Sequence, residues 1–305
     1  MGSEQRASHI VDVLMREFGE LIAIDPAAFR RKFRKMAASP FAFYRGSASL
    51  FYADMTGDFA DDRFLNDRTS RVWIHGDLHA ENFGTYMNSS GELVFNVNDF
   101  DEAYVGPFSW DLKRFSASVA LLGYAKALSD DVIGDLVTVF AKAYLTELRA
   151  IAHGGDDAIG SITLANATGV LLKVLQQARL NTRVDLLAQQ TTIDNYERRF
   201  TIADGVYEID DAARKTVTEA FTRYLRTLPG QSPVEQHIKD IVLRKGVGIG
   251  SAGLPSYNIL LEGHTQALEN DVVIYMKQAQ VPAVARHIDD ERVRGYFTHQ
   301  GHRTS

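Results

Sequence analysis

The sequence predicts an α+β fold, with a mostly helical bulk and two small strand units. Three observations predict it. Apolar residues recur at helical spacing through most of the chain. Two short β-like runs, Arg71–Ile74 and Glu92–Val97, flank an unusually polar stretch. A glycine-rich segment, Arg244–Gly253, precedes two more β-like runs, Ser256–Glu262 and Val272–Lys277.

A chain of 305 residues is long enough for one large domain or two lobes with an ample core. At 45% hydrophobic and 24% charged residues the composition is that of an ordinary globular protein. A net charge of −6 argues against broad binding to nucleic acid or to an anionic membrane. Cysteine is absent, which removes disulfides, thiolate metal sites and cysteine nucleophiles. The first twenty residues lack a signal-peptide core, and no apolar run spans a bilayer, so a cytoplasmic protein is expected.

Residues 8–22 carry apolar positions at helical spacing, and Asp25-Pro26 starts a second helix as N-cap and first position. That helix carries Arg30, Arg31, Lys32, Arg34 and Lys35, read as a solvated face, and Ser39-Pro40 breaks it. The aromatics of Phe41–Gly46 read as a buried strand or turn. Arg45 there either binds an anion or pairs with a carboxylate such as Asp54. Residues 47–56 read as a short helix and 57–70 as a polar loop. The runs 71–74 and 92–97 read as one strand–loop–strand unit, with its turn at 88–91.

Ser109–Leu128 is a strong helix with Ser109 as N-cap, and Ser129 caps the next, which runs to about Ala152 and stops at His153-Gly154-Gly155. Residues 160–192 read as further helix, interrupted near Asn181. Asp204-Gly205 signals a tight hairpin between 199–202 and 206–209. Asp210–Leu228 is helical up to Pro229-Gly230, Pro233–Lys245 is a short helix or helix–strand transition, and Asp289–Phe297 is helical before a loose tail at 298–305. The division expected is 1–38 as N-terminal helices, 39–235 as a helical large lobe with the strand–loop–strand unit, and 236–305 as a small lobe.

The chemistry concentrates in WIHGDLHAENFGTYMNSSGELVFNVNDFD, residues 73–101. Phosphoryl transfer from a nucleotide needs a carboxylate for the incoming hydroxyl, oxygen ligands for magnesium, and donors on the phosphates. Asp77 precedes Asn82 by five positions, the spacing of base and metal-binding asparagine in kinase catalytic loops. Asp99 follows the next strand, with Phe100 after it, and completes an oxygen set for Mg2+. The catalytic candidate is therefore Asp77, and the metal candidates are Asn82 and Asp99. A second element lies far along the chain. Gly246, Gly248, Gly250 and Gly253 can bring backbone N–H groups against phosphates, and Lys277 ends a strand where it can pair with them. These parts follow the catalytic loop instead of preceding it, a permuted order.

The segments SPFAFYRG (39–46), HGDLHAENFG (75–84), NDFDEAYVGPFSWDLKRF (98–115), GVGIGSAG (246–253) and YMKQA (275–279) resemble the bacterial domain-of-unknown-function 2252 family. HGDLHAEN and NDFD also resemble the aminoglycoside phosphotransferase and choline kinase branch of the kinase-like fold. The resemblance implies a two-lobe kinase-like fold with Asp77 as base, Asn82 and Asp99 as metal ligands, and Asp111 as brace of the catalytic loop. It implies ATP and magnesium as cofactors and a small-molecule hydroxyl as acceptor. Members of the family usually run further past the lysine strand, whereas 28 residues follow Lys277 here (305 − 277), so a small lobe that is incomplete, shortened or finished by a partner chain is expected. Glu291 is the candidate acid to orient Lys277.

Other readings stand beside this one. His75 orients the loop through a backbone carbonyl, and His79 is structural or substrate-facing. Asp101 and Glu102 form a solvated acidic turn or contact a metal or substrate. His75, Asp77 and His79 alternate as ligands of a metallohydrolase do, with Asp99 and Asp101 to complete a two-metal site. A nucleotide-binding pseudokinase is the third reading.

Overall fold

The computed structural model describes residues 2–154, 161–227, 237–246 and 253–303. The fold is α+β, about half helical, with several small antiparallel sheets. The chain divides into two compact units, Met1–Gln176 with Ala279–Ser305, and Gln177–Gln278. Among the described residues no helix is long and apolar enough to cross a membrane.

The first unit opens with α1 (Ser3–Ile24) and α2 (Pro26–Met36). Asp25 separates them as expected: its carboxylate accepts from Ala28 N at 2.9 Å, and Pro26 takes the first helical position. The expected solvated basic face of α2 is corrected at one place. Lys32 is 4% exposed, with its ammonium 4.1 Å from the Phe18 ring centroid. Phe41–Gly46 is not a strand or turn but lies in α3 (Pro40–Gly46). Ser39-Pro40 ends one helix and starts the next, because Ser39 Oγ accepts from Ala42 N at 3.1 Å. Then come α4 (Ala48–Thr56), β1 (Val72–Ile74), β2 (Phe83–Met87), β3 (Leu93–Val97) and β4 (Tyr104–Gly106).

The two strands expected to form one unit belong to different sheets. β1 pairs with β4, Val72 opposite Gly106, while β3 pairs with β2, Phe83 opposite Val97 and Met87 opposite Leu93. The strand that sequence reading missed, FGTYM, hides behind a glycine and a threonine. Next follow α5 (Phe108–Ala125), α6 (Asp130–Ala152), β5 (Ile162–Thr163) and α7 (Gly169–Ala178). Ser129 caps α6 by accepting from Val132 N, as expected. Ser109 does not cap α5; Pro107 holds that position, and Ser109 Oγ donates to Asp62 Oδ2 at 2.7 Å. The helix expected from 160 gives way to β5, which joins β3.

Phe51, Tyr52, Ile74, Tyr104, Trp110, Val284 and Val293 pack as one core of this unit. The expected helix at 289–297 is one turn, Glu291–Arg294, ended at Gly295. The tail expected to be loose instead forms a 3-10 turn, Gln300–Arg303, with Arg303 3% exposed.

The second unit contains α8 (Arg183–Gln190), β6 (Thr191–Asp194), β7 (Glu197–Phe200), β8 (Val206–Tyr207), α9 (Asp211–Leu225), β9 (Ile238–Arg244), β10 (Ser256–Leu261) and β11 (Val272–Lys277). The main sheet runs β11-β10-β9-β8. The tight hairpin sits one turn earlier than expected. β6 and β7 meet at Asn195-Tyr196, with φ of 51° and 67°, the pair of positive φ values that a two-residue hairpin turn requires. Asp204-Gly205 closes only the bridge Ala203–Val206, and β8 pairs with β9. The segment read as helix or transition before Lys245 is, from Ile238 on, the strand β9. Both faces of the sheet are covered. Ile259 and Leu261 pack with Ile241 against Val217 and Phe221 of α9, while Leu260 packs with Val242 against Leu187, Phe200 and Val206.

Candidate active site

The loop His75–Asn82 joins β1 to β2 and is held from one face of α5. Asp111, Arg114 and Ser118 lie three and four positions apart, so they share that face. Asp111 accepts from His75 N at 2.6 Å and from Gly76 N at 3.0 Å. Ser118 Oγ accepts from Ala80 N at 3.0 Å. Arg114, fully buried, donates Nε to Asp77 Oδ1 at 2.7 Å, and its Nη2 pairs with the same oxygen. Two loop amides bond within the loop: Asp77 N to His75 Nδ1 and Glu81 N to His79 Nδ1, both at 3.2 Å. Asn82 N also bonds within the loop, to His79 O at 2.9 Å, so much of this irregular segment's backbone finds acceptors.

Gly76 is a glycine for a steric reason. Its φ is +80°, and a Cβ there would stand 2.0 Å from the backbone oxygen of Glu102. The acidic turn therefore packs directly on the loop. Tyr52 adds a hydroxyl donated to Gly76 O.

Asn82, 3% exposed, donates Nδ2 to Asp77 O at 2.8 Å and accepts from Asn98 N on its own carbonyl at 3.0 Å. His75 Nε2 meets Asn98 O at 2.8 Å, so this nitrogen carries the proton and Nδ1 is the acceptor for Asp77 N. His75 thus bridges the loop to the backbone carbonyl of Asn98. One residue on, Asp99 is exposed and left-handed, φ 60° and ψ 60°, a conformation that aspartate tolerates better than most residues. His79 is 2% exposed, edge-on to Phe41, with Nε2 3.8 Å from Asp77 Oδ2. Burial pushes its pKa down to about 4, against the pull of Asp77, so it is neutral near pH 7.

The acidic turn is anchored by the segment that returns to this unit after Gln278. Glu102 Oε2 accepts from Ala283 N at 2.6 Å. Arg303 donates Nη1 to Asp101 O and to Ala103 O, the latter at 3.1 Å, and Nη2 to Gln280 O at 2.7 Å. Burial, and then the nearby Asp77 charge, push the Glu102 carboxyl up to about 7. Lys32 answers from the other side. Burial lowers it to about 8, while Glu102, Glu17 and Asp77 favour its charge. Burial likewise raises Asp111, opposed by the N–H groups of His75 and Gly76.

Of the two readings of Arg45, the structure shows a carboxylate pair, but the carboxylate is not Asp54. Arg45 forms an ion pair with Glu81, while Arg6 takes both oxygens of Asp54 at 2.6 Å each. Glu291 opens the one-turn helix of this unit. The remaining expected residues lie in the second unit. Gly246 and Gly253, φ +80° and +83°, sit in the connection from β9 to β10; Gly248 and Gly250 fall outside the described residues. Lys277 ends β11 opposite Ser256, and Ser256 also pairs with Arg244, so lysine and glycine connection share one end of the sheet.

Sequence reading missed Arg114, Ser118, Arg303 and Lys32. The signal for the first two was present: Arg114 and Ser118 fall at Asp111+3 and Asp111+7, on the same helix face as Asp111. No local signal marks Arg303 or Lys32, whose burial comes from distant segments.

Fold and site together define an α+β protein with a clamped acid-and-amide loop beside an acidic turn. A family model described as an uncharacterized protein conserved in bacteria (DUF2252) matches residues 24–305, and the chain belongs to that family. Comparison with curated proteins and with solved structures gives no match.

Proposed function

We propose that this chain is an ATP- and magnesium-dependent phosphotransferase of kinase-like type, acting on a hydroxyl of a small molecule. The observation that carries the reading is the relation between Asp77 and Asn82. The Asn82 amide is fixed on Asp77 O at 2.8 Å, on a loop whose two preceding amides are clamped by Asp111. Arg114 occupies Asp77 Oδ1, which leaves Oδ2 to receive the proton of an acceptor hydroxyl.

The donor set fits magnesium. Asn82 spends Nδ2 on the loop, which keeps Oδ1 as ligand, and Asp99 adds a carboxylate from an exposed left-handed turn tied to the loop through His75 and Asn98. Both are hard oxygen donors. Bound MgATP would supply the phosphoryl group and the charge that offsets its oxygens. Asp101 and Glu102 keep the turn in place through Arg303 and Ala283.

The second unit supports the same reading. A strand, a glycine-bearing connection, a second strand and a third strand ending in lysine follow in the order of the phosphate-covering elements of kinases. Within that unit, Lys277 is the proposed phosphate partner, and Gly246 and Gly253 are the proposed positions of close backbone approach. Kinase-like architecture in permuted order is part of this proposal.

The metallohydrolase reading fares worse. Both ring nitrogens of His75 are engaged, and among the described residues no group of three or more His, Asp or Glu is placed to hold a metal. Thermal shift decides between them. ATP with magnesium should stabilise the protein by mass action, and Asp99→Ala should lose the effect. Stabilisation by zinc or manganese alone, with none from nucleotide, would sink the proposal. Binding without phosphate transfer would leave a pseudokinase.

A further inference from the structure

The first unit contains a cavity of about 680 Å³ that neither Asp77 nor Asn82 lines. Its volume lies within the range of small-molecule sites, roughly 300–1,000 Å³. Aromatic side chains form much of the wall: Phe43, Tyr44, Phe51 and Phe59. Phe51 is buried and Phe59 is 59% exposed, so the cavity runs from the core to the surface.

The charges around it do not cancel. Arg6 and Lys113 are the basic residues of the lining. Arg6 is committed to Asp54, whose two oxygens it grips at 2.6 Å each. Lys113 is committed to Asp62, at 2.8 Å, a carboxylate whose side chain is only 4% exposed. Asp58 and Asp61 also line the cavity, both exposed, and Asp54, by hydrogen bond and charge, together with the Asp58 charge favours the charged form of Arg6. The lining thus sets two basic groups against three acidic ones, Asp54, Asp58 and Asp61, which leaves one net negative charge beside aromatic walls.

From this geometry we propose that the cavity is a binding site for an organic cation, an amine carried on an aromatic or aliphatic body. The body would fill the space against Phe43, Tyr44 and Phe51, and the ammonium would sit at the mouth beside Asp58 and Asp61. The carboxylates favour a cation over a neutral isostere by charge. Tyr44 and Phe51 already have the Arg114 guanidinium 4.5 Å and 5.2 Å from their ring centroids, so the rings contribute apolar surface for the body of the ligand. An anion is disfavoured, because both basic groups already hold carboxylates. The site is distinct from the proposed transfer site but close to it. Tyr44 lines the cavity, and its carbonyl accepts from Arg114 Nη2 at 3.2 Å, the same side chain that holds Asp77. The proposal does not depend on phosphotransfer.

The test uses the full chain and three probes: phenethylamine, its neutral analogue 2-phenylethanol, and the anion 3-phenylpropionate. Binding is read by ligand-observed NMR titration, without nucleotide. The amine should bind saturably and at least about tenfold more tightly than the alcohol, a difference of ~1.4 kcal/mol. The anion should bind more weakly still. The double variant Asp58→Asn/Asp61→Asn changes only exposed side chains, and it should lower amine affinity to that of the alcohol. Ala117→Trp, which fills the cavity, should abolish binding of both. Equal affinity for amine and alcohol would overturn the proposal. So would unchanged amine binding in the double variant, or no saturable binding of the amine. Because no readout involves ATP, a failure here leaves the phosphotransferase reading intact, and the reverse also holds.

Discussion

Different forces hold the loop His75–Asn82 and the sheet β8–β11. The sheet satisfies its amides through strand ladders and buries alternate faces, with Ile259, Leu260 and Leu261 all at 0% exposure. The loop has no ladder to use. Its amides end on side chains, chiefly Asp111 and Ser118, and its carboxylate ends on Arg114. A sheet of this kind is specified by volume and alternation. A loop of this kind is specified atom by atom, so isosteric changes should be costly in the loop and cheap in the sheet.

The largest effect should come from Arg114→Met. It strips Asp77 of its fully buried guanidinium partner and should destabilise the protein by about 3 kcal/mol or more, read by urea denaturation. A cost near zero would mean that Asp77 is held by something else. Asp111→Asn replaces an oxygen that accepts a backbone N–H with an amide group of the same shape. It should cost roughly 1–3 kcal/mol in the same measurement, because one amide of His75 or Gly76 loses its acceptor.

Glu102→Gln sharpens the comparison through pH. The carboxyl titrates near 7 when folded against 4.5 as its ordinary value, so the folded state holds the extra proton between those values. Stability is therefore lost as pH rises from about 4.5 to 7. Glutamine carries no such proton, so the variant should gain on the parent across that window, by up to roughly 3 kcal/mol. Neutral His79, lowered to about 4, gives the opposite slope in both proteins and cancels in the difference. A flat difference curve would show that Glu102 is solvated. The smallest effect belongs to the sheet: Leu260→Met, at a fully buried position, should cost less than about 1.5 kcal/mol. If it costs more than Asp111→Asn, the contrast between the two regions fails.

The same contrast explains what was legible beforehand. Signals that act within a few residues read through directly: the Asp25-Pro26 start, the Ser129 cap, and the strands at 256–261 and 272–277. Errors came where local chemistry permits two outcomes. Ser39-Pro40 both stops and starts a helix, and Asn195-Tyr196 competes with Asp204-Gly205 as the hairpin turn. What could not be read was tertiary. Arg45 pairs with Glu81 because Arg6, 48 positions from Asp54, already occupies that carboxylate. Arg303 reaches a turn 200 positions earlier, at Ala103 O. Lys32 looks like its solvated neighbours and is buried.

The central claim is that Asp77 is the acid–base residue of a magnesium–nucleotide site. The most direct measurement follows ATP by phosphorus NMR with magnesium, in the parent protein and in Asp77→Asn. The account predicts slow magnesium-dependent turnover in the parent. It predicts retained nucleotide binding in Asp77→Asn, with turnover reduced by about a hundredfold or more. Equal turnover in both proteins, or no nucleotide bound by the parent, would contradict it.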